Sequence, residues 1–507
     1  MRDHGSNAAR RLFLKQSGAF SLMGAAAPLA MNLAAASALA APAATDYRAL
    51  VCVFLYGGND AFNTVLATDD PSWANYTAVR NQQPESIALL RNAAPNRVAK
   101  VGSPEWLGGA LPISVASMQS GRSFAMHPML DSLQGMFNTN RRVAVVANVG
   151  PLVEPLSKAD YLQSLKRRPK KLFSHNDQQS TWMALAPEGT AVGWGGRLAD
   201  AVASANNSSL FTAISASGES VWLTGKTVRQ YQVSPAGPVR MGTQPDSTGV
   251  SRVYGSDVVG AALERIVTSS RSSHVMSVDM AAVNQRSIQA ERILSSALPS
   301  EALAPYGPAG ALQYSTVAGG RAHNPLAQQL QVVARTIAAQ GSLGVKRQVF
   351  FVSLGGFDTH NKQNLAHADL MAKLNHAMQY FDTTLSAMGM AQKVTTFTAS
   401  DFGRSFTSNG DGSDHGWGGH HLVMGGAVQG GDVHGAFPVL AKKNSRDNGF
   451  DGSPDQINNG ILLPRISVDQ YGATLGRWFG LTSGQLGEVF PNLVNFGGLS
   501  DLGFMKT

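Results

Sequence analysis

The chain has 507 residues, 43% of them hydrophobic, with 41 Lys and Arg against 33 Asp and Glu for a formal net charge of +8. That length suits one large α/β domain or two smaller ones. The charge is too mild for a nucleic-acid footprint: the densest basic cluster, Lys166-Arg167-Arg168 with Lys170-Lys171, has no interleaved aromatics and reads as a solvated loop around Pro169.

In chain order, the first element is a targeting segment. Arg10-Arg11-Leu12-Phe13-Leu14-Lys15 resembles the bacterial twin-arginine pattern, and behind it an Ala-rich stretch from Gly18 to Ala40, interrupted by Pro28, closes in Ala38-Leu39-Ala40, the small-x-small pattern of a cleavage site. Alanine and glycine contribute little membrane-insertion energy, so residues 1–40 are expected to be a cleaved signal and not an anchor. The expected location is the periplasm or the medium, reached through the twin-arginine machinery in folded form, with no membrane span left after cleavage. Arg2, Arg10, Arg11 and Lys15 against Asp3 carry three of the net charges, so about +5 remains on the rest. The lone Cys52 cannot form an internal disulfide, which agrees with folding in a reducing compartment before export.

Residues 41–507 are expected to form a single domain. Three short apolar runs end in polar clusters: Ala49 to Tyr56 leads into Gly57-Gly58-Asn59-Asp60, Gln348 to Leu354 into Gly355-Gly356-Phe357-Asp358-Thr359-His360, and Lys393 to Ala399 into Ser400-Asp401-Phe402-Gly403-Arg404. Continuous apolarity predicts strands covered on both faces, and amphipathic helices stand between them: one with Leu326, Leu330, Val333 and Ile337, one with Leu374, Met378, Phe381, Leu385 and Met388, and one capped by Ser467 and Gln470 that buries Val468, Tyr471, Leu475 and Trp478. The fold class is therefore α/β, with a mostly parallel sheet sandwiched by helices. Residues 206–314, loop-rich and then helical from Val258 to Leu298, read as an insertion or cap.

In such a sheet ligands gather at the carboxyl edge, so the three polar tips should meet there. The glycine-spaced segment Ser413-Asp414-His415-Gly416-Trp417-Gly418-Gly419-His420-His421 adds a carboxylate and three imidazoles. With Asp60, Asp358, His360 and Asp401 this makes an oxygen and nitrogen donor set without thiolate, suited to one or two divalent ions such as zinc, manganese, iron, calcium or magnesium. His420 and His421 are adjacent and cannot both face one ion from a regular element; His420 is favoured.

The strings LYGGNDAFNT, SHNDQQ, GGFDTHNKQN, SDFGRS, DHGWGGHH, GGAVQGG and SVDQYGATLGRWFG, which span almost the whole chain after the signal, resemble an exported bacterial family, domain of unknown function fifteen-oh-one. That family is similar to the alkaline phosphatase and sulfatase superfamily, whose members cleave phosphate or sulfate esters with metal ions at the carboxyl edge of the sheet. The resemblance implies an alkaline phosphatase-like fold. It implies Asp60 as the metal ligand after the first strand, a helix starting near His127-Pro128-Met129-Leu130-Asp131, and a strand from Val143 to Val149. It implies Ser174, before His175-Asn176-Asp177, as a nucleophile at a helix start, where free N–H groups favour an anionic ester. Asp358 and His360 match the Asp-to-His pair with shorter spacing. Phe402 follows Asp401 where the superfamily has an imidazole, leaving His415 or His420 to supply it. Arg404, Asn59 and His175 are the expected substrate contacts.

The expected function is thus a metal-dependent hydrolase of phosphate or sulfate esters, acting on a small anionic ester or an envelope polymer through a metal-activated Ser174 or water. The alternative is a non-catalytic, metal-stabilised envelope protein of the same fold that binds a polymer or protein partner.

Overall fold

A computed structural model describes residues 46–506, apart from 118, 120, 246–250, 271, 447 and 448. The twin-arginine pattern and the cleavage pattern at Ala38-Leu39-Ala40 lie outside the described residues. No helix among the described residues is long and apolar enough to cross a membrane.

The strand Arg48–Tyr56 (β1) is a nine-residue run, RALVCVFLY, whose seven central positions are all buried. Its side chains alternate between two cores. Ala49, Val51, Val53 and Leu55 pack with helices Asp131–Asn138, Pro325–Ala338 and Gln363–Ala387 on one face, and Leu50, Cys52 and Phe54 pack with helices His175–Ala184, Trp194–Val202 and Val468–Phe479 on the other. Burial on both faces explains why the run lacks polar alternation. These helices are named α1 (Asp131–Asn138), α2 (His175–Ala184), α3 (Trp194–Val202), α4 (Pro325–Ala338), α5 (Gln363–Ala387) and α6 (Val468–Phe479). The expected capping box is present at α6, where Ser467 accepts from the Gln470 N–H and the Gln470 side chain accepts from the Ser467 N–H.

The sheet has ten strands among the described residues. They are β1, β2 (Val143–Gly150), β3 (Ala213–Ser215), β4 (Tyr231–Ser234), β5 (Gly237–Pro238), β6 (Arg347–Gly355), β7 (Val394–Ser400), and, past a small ribbon of β8 (Arg404–Ser408) and β9 (Ser413–His415), β10 (Gly419–Met424), β11 (Val433–His434) and β12 (Ile466–Ser467). The spatial order is β11-β2-β10-β7-β1-β6-β3-β4-β5, with β12 also beside β2. β1 lies parallel to β6 and β7, and β6 is parallel to β3, whereas β10 runs antiparallel to both neighbours, β2 and β7. The sheet is thus mostly parallel and flanked by helices. The segment 206–314 contributes β3, β4 and β5 to its edge before turning into helices Asp257–Val267 and Val275–Ala297.

The reversed strand has a consequence for function. Gly419, at the start of β10, sits opposite Val149 near the end of β2. The glycine-rich loop before β10 therefore arrives at the same carboxyl edge as the tips of β1, β6 and β7. Close approach of those tips needs glycine: a Cβ on Gly57, whose φ is +113°, would lie 2.3 Å from the Asp358 nitrogen, and one on Gly412 would lie 2.3 Å from the His360 carbonyl carbon.

Candidate metal centre

Asp401, at the tip of β7, is wholly buried. Its Oδ2 accepts from the Gly57 N–H at 3.1 Å, from Gln179 Nε2 at 2.8 Å and from His175 Nδ1 at 2.8 Å. His175 and Gln179 stand one turn apart on α2, so one helix face grips the carboxylate twice. With Nδ1 donating to Asp401, His175 presents Nε2 to Asp358 Oδ2 at 3.4 Å. The hydrogen bond to Asp401 is the main force raising the His175 pKa above its ordinary value.

His415 is aimed by the backbone. Its Nδ1 lies 2.8 Å from the carbonyl oxygen of Phe173, a residue in the left-handed region with φ +71° whose N–H is held by the Gln178 side chain. Because a carbonyl only accepts, Nδ1 carries the hydrogen and Nε2 keeps the lone pair. That Nε2 lies 3.4 Å from Asp358 Oδ1. Partial burial pushes the His415 pKa below the ordinary imidazole value, which favours the neutral, ligating form.

Asp358, at the β6 tip, is the meeting point and is 43% exposed at its side chain, so the cluster opens to solvent. Its Oδ1 accepts from Arg404 Nη1 at 2.6 Å and faces His360 Nε2 at 3.1 Å. Partial burial pushes this carboxyl up, but the hydrogen bond and charge of Arg404, joined by the facing imidazoles, outweigh it and hold the pKa below the ordinary range. His360 Nε2 is also 3.0 Å from His415 Nε2, and its Nδ1 is 3.3 Å from Asp414 Oδ1, which in turn accepts from Asn409 Nδ2 at 2.8 Å.

One ligand atom from each of His175, Asp358 and His415 lies within 4.8 Å of the others. A family model matches residues 47–493. The chain belongs to the family described as protein of unknown function, DUF1501. No curated protein matches the chain of this DUF1501 member. One solved structure, from work on the metabolism of multiple glycosaminoglycans by Bacteroides thetaiotaomicron, covers 76% of the DUF1501 chain and 69% of its own at 10% identity, with a TM-score of 0.28.

The donor set of this DUF1501 member fits a divalent cation. Two imidazoles have the far nitrogen tied to a carboxylate or a backbone carbonyl, which is how ligating histidines are held, and the third donor is a carboxylate. A separate sign is Asp401 Oδ1, buried without a hydrogen-bond partner beside the cluster.

Of the other expected site residues, Asp60, His420 and Asn59 are engaged outside this group of three donors, whereas Arg404 and Ser174 adjoin it. Asp60 is wholly buried as the N-cap of the helix Ala61–Thr64: Oδ1 accepts from the Phe62 N–H at 3.1 Å, while Oδ2 accepts from Gln363 Nε2 at 2.6 Å and pairs with Arg80. A guanidinium thus fills the place beside this carboxylate. His420, on β10, accepts from the Asn148 N–H at 3.0 Å and packs 4.5 Å from Phe437; burial pushes its pKa down to about 3. His421 points to the opposite face, against Trp182 and Tyr471, as strand alternation requires. Asn59 is buried, bonded to Thr64 and His367. Arg404 is wholly enclosed, its donors taken by Asp358, the Gly57 carbonyl and Ser413. Ser174 occupies the N-cap position of α2 without a side-chain capping bond, and its Oγ donates to Asp177 Oδ2 at 3.0 Å.

Sequence reasoning missed the roles of Gln179 and the Phe173 carbonyl. Gln179 had a legible signal, its four-residue spacing from His175 on one helix. A backbone carbonyl leaves none.

Proposed function

We propose that this protein is an exported, metal-dependent hydrolase of phosphate or sulfate esters with an alkaline phosphatase-like fold, in which His175, Asp358 and His415 would hold a divalent ion and water is the nucleophile. The observation that carries the reading is the convergence of His175, Asp358 and His415 within 4.8 Å at a solvent-open sheet edge. A bound divalent ion would polarise an ester oxygen and ease loss of a proton from water.

The chain's own residues would divide the remaining work. His175 and His415 offer Nε2, each oriented through Nδ1 by Asp401 or the Phe173 carbonyl. Arg404 keeps Asp358 ionised. His360, beside Asp358 and backed by Asp414, stands where it can hold or pass a proton at Nε2. The first turn of α2, ten residues long and starting at His175, turns its free N–H groups and positive dipole end toward an anionic ester near that imidazole. Water is taken as the nucleophile because the Ser174 hydroxyl turns to Asp177 Oδ2 at 3.0 Å, a carboxylate outside the three converging donors.

Elemental analysis of the exported protein, combined with chromogenic phosphate monoesters, phosphate diesters and sulfate esters, tests the proposal. Bound metal and turnover should both be lost in His415→Ala, while Ser174→Ala should keep most of the turnover. Absence of metal would remove the basis of the reading. Metal without turnover of any ester would favour the non-catalytic envelope protein. Export is tested by Arg10→Lys with Arg11→Lys, which should hold the protein in the cytoplasm.

A further inference from the structure

A cavity of about 390 Å³ opens beside the C-terminal half of α2. Its walls are apolar, from Leu152, Val153, Leu185 and Pro187. Arg168 and Lys170, both exposed, stand at its mouth; Arg168 lies over the Tyr161 ring at 5.1 Å, whereas the neighbouring Arg167 is paired with Glu154 at 3.2 Å.

At the floor lies Asp469, only 1% exposed. Among the described residues its side-chain hydrogen bonds come from Asn492, the backbone N–H at 3.2 Å and Nδ2 at 3.3 Å, long bonds from uncharged donors, and its place in the first turn of α6 sets it at the positive end of that helix. The charged group behind it is Arg197 on α3, whose guanidinium donates to the carbonyls of Val489 and Ala184. The helix end and Arg197 offset part of the charge, but no cation among the described residues is in ion-pair contact with Asp469, and a carboxylate buried this deeply is costly without one.

The geometry points to a binding site for a small zwitterion: a primary ammonium seated on Asp469, an apolar body along Leu152 and Leu185, and an anionic group held by Arg168 and Lys170. The order of charges from floor to mouth, negative and then positive, is complementary to such a molecule and opposed to a simple anion. A volume in the range of ordinary ligand pockets accommodates a dipeptide. A dipeptide and an ethanolamine phosphate headgroup share this chemistry. Burial also pushes the carboxyl pKa of Asp469 up to about 6, outweighing the Asn492 hydrogen bonds and the charge of Arg197, which lower it.

Isothermal titration calorimetry on the full exported chain with L-leucyl-L-leucine and with O-phosphoethanolamine tests this. Saturable binding of either supports the site, and which of them binds identifies the source. N-acetyl-L-leucyl-L-leucine, which lacks the ammonium, should bind roughly tenfold or more weakly than the free dipeptide, as loss of a charged hydrogen bond implies. Asp469→Asn should erase that preference. Lys170→Ala, at an exposed position on the cavity lining, should weaken every probe that binds. No saturable heat from either probe, equal affinity for free and acetylated dipeptide, or unchanged binding in both variants would overturn the proposal.

Discussion

Replacing Asp60 by Asn separates two roles for that carboxylate, ligand or structural counter-charge. Asp60 and Arg80 are both wholly buried, and Gln363 completes the site. Asn keeps an oxygen for the Phe62 N–H but removes the negative charge, leaving the guanidinium enclosed. Breaking one side of a buried pair costs about 3–5 kcal/mol. Arg80 would keep its hydrogen bonds to the Ser405 and Phe406 carbonyls, both 3.3 Å, and its place over the Phe62 and Tyr76 rings, so the lower end, about 3 kcal/mol, is expected. The assay is urea denaturation in chelator, with bound metal measured separately on untreated protein. Arg80→Met together with Asp60→Asn should recover part of the loss, because no unpaired charge is then buried. A cost below about 1 kcal/mol, accompanied by depletion of bound metal, would refute the structural assignment and make Asp60 a ligand.

Asp401→Asn leaves the proposed ligands in place but weakens the acceptor that orients His175; metal affinity measured by chelator competition should fall roughly 10–100-fold. His367, His420 and His421 are buried, and desolvation lowers their pKa values to about 4, 3 and 3, from 6.5. The unfolded chain therefore takes protons first. Their contribution to stability is complete above pH 6.5 and is lost as pH falls toward 3, so urea midpoints should decline from pH 7.5 to 5; a flat profile would contradict the burial. Asp469 behaves oppositely in sign: its folded pKa of about 6 exceeds the reference 3.8, so the folded state holds the proton more tightly and stability falls as pH rises through that window. Asp469→Asn should accordingly raise stability by about 1–2 kcal/mol at pH 7.5, with the gain absent at pH 4, as urea midpoints at the two pH values would show.

The strands at Arg48–Tyr56, Arg347–Gly355 and Val394–Ser400, their polar tips and the capped helix after Ser467 were all legible, because a strand buried on both faces is continuously apolar and a capping box is a local hydrogen-bond pattern. The direction of Gly419–Met424 was not: an apolar run has no polarity, and only pairing with Val143–Gly150 and Val394–Ser400 reverses it. The segment 206–314 read as an insertion because its sequence is loop-rich and then helical; the edge strands it contributes, only two to four residues long, are too short to show as apolar runs.

What the amino-acid sequence determined by itself is the set of donors, Asp and His without thiolate, and their delivery to one sheet edge, since both follow from residue type and period. Which of those donors meet was decided by the tertiary structure. Asp60 and Asp358 both follow strand tips, yet the first is taken by Arg80 and Gln363 and the second by Arg404 and three imidazoles. A carboxylate's partner is chosen by the charges that packing brings within a few ångströms, and His175 reaches Asp401 across 226 positions of chain that no local pattern spans.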